Sequence, residues 1–258
     1  MDYNERKKLN TDVKYSLKVF QTVHDLNLAA AELIVAIASE AIAARDRFTI
    51  ALSGGQTPEK LYSLLGESPW RQQIDWINTF IFWGDERYVL FDSVKNNAHQ
   101  AKSLLFDKID IPASNVHVIP VHLLPSEVAR EYEKTLEGFF QSDSMRFDLV
   151  LLGLGTNGHT ASLFPGTPVL NEQIAGVRPV YVIEEEMYRI TMTAPLINQA
   201  RHIFFLVTGV NKREILRHVL GDSYQPKKYP AQLIAPTHGE VTWLVDQAAA
   251  ESMTPRNN

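Results

Sequence analysis

The chain has 258 residues, 45% of them hydrophobic and 21% charged, with no cysteine and a formal charge of 25 − 30 = −5. That apolar fraction belongs to a protein with a packed core and excludes disordered architectures, and the missing thiols exclude thiolate nucleophiles, cysteine-based metal centres and disulfides. The acidic balance disfavours a nucleic-acid binder, which would present a basic face, but not an anionic small ligand held by a few local cations.

The first eight residues, MDYNERKK, are polar and no apolar run follows, which reads as no signal peptide. No uninterrupted apolar run approaches the roughly 20 residues of a membrane helix, so a soluble, cytoplasmic protein without a membrane partner is expected. Helical spacing over residues 26–44 is followed by a buried strand over 48–52. Thr57 then reads as the cap of a helix with Pro58 in its first position. Further strands are predicted over 79–83, 116–119, 147–152, 203–208 and 241–245, and helices over 97–106, 126–140 and 212–220. Residues 180–183 and 188–193 read as an antiparallel pair. Strands alternating with helices imply one α/β domain over residues 1–258, Rossmann-like, with a mostly parallel sheet between helices and a smaller antiparallel region.

Ligands of parallel sheets sit beyond the carboxyl ends of the strands. Four strands run directly into glycine with polar neighbours: Ser53-Gly54-Gly55-Gln56-Thr57-Pro58, Gly84-Asp85-Glu86-Arg87, Gly153-Leu154-Gly155-Thr156-Asn157-Gly158-His159 and Gly209-Val210-Asn211-Lys212. Any one of these alone reads more readily as a strand-terminating turn; four at one sheet edge point to a site. The first loop suits an anion cradle, since glycines admit backbone N–H groups and a helix N-terminus follows. Arg87 and Lys212 supply cations suited to a phosphate, or else ordinary surface ion pairs. Asp85 and Glu86 either orient Arg87 or His159 or form a structural ion pair.

The Gly-x-Gly-x-x-Gly run of residues 153–158 is rejected as a dinucleotide site, because Pro165 and Pro168 interrupt the helix that such a fingerprint requires. Histidines lack metal-ligand spacing and no Gly-x-Ser-x-Gly elbow exists, so neither a zinc site nor an α/β-hydrolase nucleophile is expected. His159, between a glycine-rich loop and a predicted helix, is suited to moving protons with an ordinary pKa of about 6.5. An anion site beside a histidine suggests acid–base chemistry on a phosphorylated small molecule.

At these residues the chain resembles the 6-phosphogluconolactonase family, within the larger glucosamine-6-phosphate isomerase/deaminase group. The Ser53–Pro58 loop, Trp83-Gly84-Asp85-Glu86-Arg87, Asn96-Asn97, the segment from Phe147 through Gly166, Arg189-Ile190-Thr191-Met192-Thr193 and Gly209 through Lys212 all match its motifs in order. Asn157 stands where many members carry Asp, Leu163-Phe164-Pro165 replaces a carboxylate-bearing deaminase motif, and Arg87 stands where deaminases have Tyr; these differences favour the lactonase. The resemblance implies hydrolysis of 6-phospho-D-glucono-1,5-lactone to 6-phosphogluconate, a step of the oxidative pentose phosphate pathway, with no cofactor and no metal. It implies His159 as general base and a pool of Ser53, Gly54, Gly55, Thr57, Asp85, Arg87, Asn97, Arg189 and Lys212 for phosphate and sugar. Two rivals are an amino-sugar phosphate deaminase or isomerase and a non-catalytic sugar-phosphate sensor.

Overall fold

A computed structural model describes residues 15–141, 144–221 and 223–251. In chain order the strands are β1 (Tyr15–Phe20), β2 (Phe48–Leu52), β3 (Thr79–Trp83), β4 (Asp85–Arg87), β5 (Leu149–Gly153), β6 (Val177–Val182), β7 (Met187–Met192), β8 (His202–Val207) and β9 (Glu240–Asp246). The α-helices are α1 (Val23–Arg45), α2 (Gln56–Leu65), α3 (Asn97–Leu104), α4 (Pro125–Phe140), α5 (Ala194–Ile197), α6 (Arg213–Val219) and α7 (Gln247–Ala250).

Six strands form one parallel sheet in the order β1-β9-β8-β5-β2-β3. All of β2 is buried, as is β5 up to its last residue and β8 after its first, so consecutive side chains on both faces are covered. This is why these segments read as unbroken apolar runs rather than as alternation. Helix α1 packs on β1, β2 and β9, while α4 packs on β6 and β7. The second sheet, β4-β7-β6, is antiparallel. A mostly parallel sheet with helices and a smaller antiparallel region is therefore the observed architecture.

Chain direction within the large sheet decides where a crevice opens. From β2 the chain moves outward to β3, whereas β5 leads the other way to β8 and β9. The loops that follow β2 and β5 thus diverge, which leaves space between them at the carboxyl ends. Asp148 locks the opposite ends of the same two strands. Its buried carboxylate accepts from the backbone N–H and hydroxyl of Thr49, each at 2.8 Å, and pairs with Arg45 at 2.8 Å.

Several expectations need correction. Residues 116–119 are not a strand, because only Val116 bridges β3, at Ile81. Pro112 and Pro120 bracket this segment, and a short 3₁₀ turn (Ala113–Asn115) uses its start. Strand β1 was not expected; it pairs at the sheet edge and alternates poorly in burial. Asp85–Arg87 is a strand of the small sheet rather than a loop. Helix α2 begins at Gln56 with Gly55 as N-cap, so Thr57 is inside the helix and does not cap it. No helix follows His159; the next helical turn is 3₁₀ (Pro168–Asn171).

Helix α1 has the length and apolar composition of a membrane span. Its face of Leu26, Ala30, Ala31, Ile34, Ala38 and Ala41 is buried in the core. A capping box starts it: the Thr22 hydroxyl accepts from the Asp25 N–H at 3.1 Å, and the Asp25 carboxylate accepts from the Thr22 N–H at 3.2 Å.

Candidate active site

A cavity of about 410 Å³ occupies the crevice, a size suited to a small molecule. All ten residues singled out from sequence line it: Ser53, Gly54, Gly55, Thr57, Asp85, Arg87, Asn97, His159, Arg189 and Lys212. They come from the loops after β2, β5 and β8, from β4 and β7, and from the starts of α2 and α3.

The loop after β2 is fixed by Tyr62, whose hydroxyl accepts from the Ser53 N–H at 3.0 Å and donates to the Ser53 carbonyl at 2.7 Å. At Gly54 a Cβ would lie 1.9 Å from Oδ1 of Asn97, so only glycine lets the first loop and α3 approach. No side chain caps α2, and the first turn of a helix leaves N–H groups without intrahelical acceptors; here they border the cavity. The Thr57 hydroxyl instead bonds that of Thr208 at 2.7 Å, tying the start of α2 to the loop after β8. That last loop is anchored in turn by Asp246, which accepts the Gly209 N–H at 3.0 Å and places Lys212 at the rim.

Glu86 and Asp85 point in opposite directions along β4. Glu86 is fully buried and accepts three backbone N–H groups, from Arg87 and Asn97 at 2.8 Å and Ala98 at 3.0 Å. It clips the N-terminus of α3 to the small sheet. Burial raises its carboxyl to about 7, against the pull of those donors. Asp85 accepts the Ser162 hydroxyl at 2.6 Å and lies 3.7 Å from Arg189. Among the described hydrogen bonds and ion pairs, neither carboxylate contacts His159, which leaves Asp85 with Arg189 and Glu86 with the backbone of Arg87.

The three cations differ in their commitments. Arg189 is buried between two carboxylates, Asp85 and Glu185. Arg87 donates to the Lys95 carbonyl at 2.9 Å, and Lys212 makes no ion pair with the described residues. Three buried polar atoms of the cavity wall have no hydrogen-bond partner among the described residues: Ser53 Oγ, Arg87 Nε and Asn97 Oδ1. The first two can donate to an anion, while the amide oxygen can only accept, as a hydroxyl would require.

His159 is held from several sides. Its ring stacks on Phe164 with centroids 3.9 Å apart. A Cβ on Gly155 would lie 2.1 Å from Nδ1, so that glycine makes room for the imidazole. The Asn157 Oδ1 lies 2.6 Å from Nδ1 and also accepts the His159 backbone N–H at 3.2 Å. An atom that accepts a backbone N–H is the amide oxygen, so Nδ1 carries the ring hydrogen and Nε2 is left to accept a proton. Burial first, then the charges of Arg189, Lys212 and Arg87, hold the imidazole down to about 3, so it is neutral at pH 7.

Asn157, Thr208 and Glu185 were not among the residues expected at the site. Asn157 had a visible signal, two positions before the histidine; Thr208 arrives only through the packing of separate strands, and Glu185 through the turn between β6 and β7.

The protein-family model described as "Glucosamine-6-phosphate isomerases/6-phosphogluconolactonase" matches residues 21–243. The chain is 44% identical over 222 residues to a 6-phosphogluconolactonase of Synechocystis sp., covering 84% of this chain and 89% of that one. It is 38% identical to a 6-phosphogluconolactonase of Nostoc sp., across 94% and 100% of the two chains. The solved 6-phosphogluconolactonase of Trypanosoma brucei superposes with a TM-score of 0.83 at 28% identity, over 94% of this chain and 100% of that one. The chain belongs to the glucosamine-6-phosphate isomerase/6-phosphogluconolactonase family.

Proposed function

We propose that this chain, acting as one α/β unit, hydrolyses 6-phospho-D-glucono-1,5-lactone to 6-phosphogluconate with His159 as general base. The observation that carries the reading is an imidazole, held at Nδ1 by Asn157, in the wall of a cavity that Arg87, Lys212 and the first turn of α2 also line. Water adds to C1 as Nε2 takes its proton, forming the new C–O bond and a tetrahedral oxyanion. Collapse of that intermediate breaks the bond from C1 to the ring oxygen, which takes the proton back from Nε2. The new carboxylic acid then ionises.

Two arguments support this sequence. A lactone is already electrophilic, so positioned general-base catalysis worth about 10² to 10⁴ in rate is an adequate contribution. The phosphate, remote from C1, fits the Ser53 hydroxyl and the amides of Gly54 to Thr57 with Arg87 and Lys212, whose charge is not spent on a described carboxylate. Anchoring there aligns the ring with His159 and converts binding into orientation.

The test generates the lactone in situ with glucose-6-phosphate dehydrogenase and follows acid release with and without the protein, since the substrate also hydrolyses unaided. Faster release supports the reading. An unchanged rate, or ammonia release from glucosamine 6-phosphate instead, would overturn it.

A further inference from the structure

A carboxylate in a cavity built for an anion works against binding, and Glu185 is such a group. It ends the 3₁₀ turn (Ile183–Glu185) between β6 and β7, and its side chain accepts from Nε of Arg189 at 3.1 Å and also from Nη2. Asp85 meets the same guanidinium at 3.7 Å. Two carboxylates on one cation leave this cluster with an excess negative charge.

The location of that cluster gives the excess charge a consequence. Arg189 lies over the ring of Phe164, 5.4 Å from its centroid, and the His159 imidazole stacks on the same ring. The cluster therefore stands close to His159; the charges of Arg87 and Lys212 also reach that imidazole, and in the function proposed above these two hold the phosphate. Lactone and product share the phosphate and differ at C1, which is an uncharged ester in one and a carboxylate in the other. Resting on that reading, we infer that Glu185 discriminates product from substrate: it repels the C1 carboxylate created beside His159 and so favours release of the acid. Glu185 is a specificity residue in this sense and takes no proton in the reaction.

The experiment compares binding of 6-phosphogluconate and glucitol 6-phosphate, which has the same phosphate and hydroxyl chain but CH₂OH in place of the carboxylate. Both are titrated calorimetrically into the wild-type chain and Glu185→Gln, whose amide oxygen still accepts from Arg189. Partly screened like charges within one cavity predict that Kd for 6-phosphogluconate falls about three- to tenfold in the variant, while Kd for glucitol 6-phosphate moves less than about twofold. Equal shifts for both ligands, or no shift for 6-phosphogluconate, would overturn the inference. Lactone turnover on the same samples separates it from the parent reading. Turnover by the wild-type chain with an unmoved product Kd overturns the role of Glu185 alone, and failure of either phosphate ester to bind overturns both.

Discussion

The side-chain oxygen of Asn157 meets two donors of a single residue, the backbone N–H and the ring Nδ1–H of His159. This clamp sets the tautomer and the rotation of the ring without a second charge in the pair. Asn157→Ala removes both bonds and is expected to lower kcat about tenfold while KM changes less than about twofold, since only alignment of the base is lost. Steady-state kinetics on the lactone checks this; a changed KM with normal kcat would contradict the clamp.

Gly155→Ala tests the same ring from the other side. The added Cβ would stand 2.1 Å from Nδ1 of His159, so the imidazole must move. A displacement of about 1 Å at a reacting group is worth on the order of 10² in rate, and kcat is expected to fall by that amount. Near-normal turnover would show that the ring has slack.

The charge state of His159 gives a pH prediction. With its pKa held down to about 3, the free protein keeps a neutral ring across the physiological range. An NMR titration should show no His159 inflection between about pH 5 and 8. Bound phosphate, by offsetting Arg87 and Lys212, should raise the pKa. The linkage has a defined sign: an unfolded histidine titrates at about 6.5, so the unfolded chain binds the extra proton between that value and the folded one. Stability from this site is therefore full above pH 6.5 and is lost as pH falls toward 3. An inflection near 6.5 in the free protein would contradict this.

Arg87→Ala removes a cation with no described carboxylate partner and an Nε buried in the cavity wall. Loss of one charge-assisted contact to phosphate predicts a rise in KM of about ten- to a hundredfold, with a smaller change in kcat. Binding of glucitol 6-phosphate should weaken in parallel. An unchanged KM would move the phosphate elsewhere.

The large sheet was legible because β2, β3, β5 and β8 are covered on both faces, which leaves continuous apolar runs ending at glycine. Those same ends carry most of the candidate site, so reading past each strand found Ser53, Arg87, His159 and Lys212. Edge structure was less legible. Strand β1 is half-covered and alternates weakly, and the apolar run at Val116–Ile119 packs without forming a ladder. The position of Thr57 also escaped, because its hydroxyl is spent on Thr208, 151 residues away, and not on its own helix. Glu185 sits among three consecutive glutamates with no local sign of the cavity. It meets Arg189, four residues on, through the turn that joins β6 to β7.

The most direct measurement of the central claim is turnover of the lactone by His159→Gln, taken together with its calorimetric affinity for glucitol 6-phosphate. The account predicts kcat reduced by about 10² or more with that affinity within about twofold of wild type, because the base is lost and the anion site is kept. Turnover close to wild type in a variant that still binds the phosphate ester would contradict it.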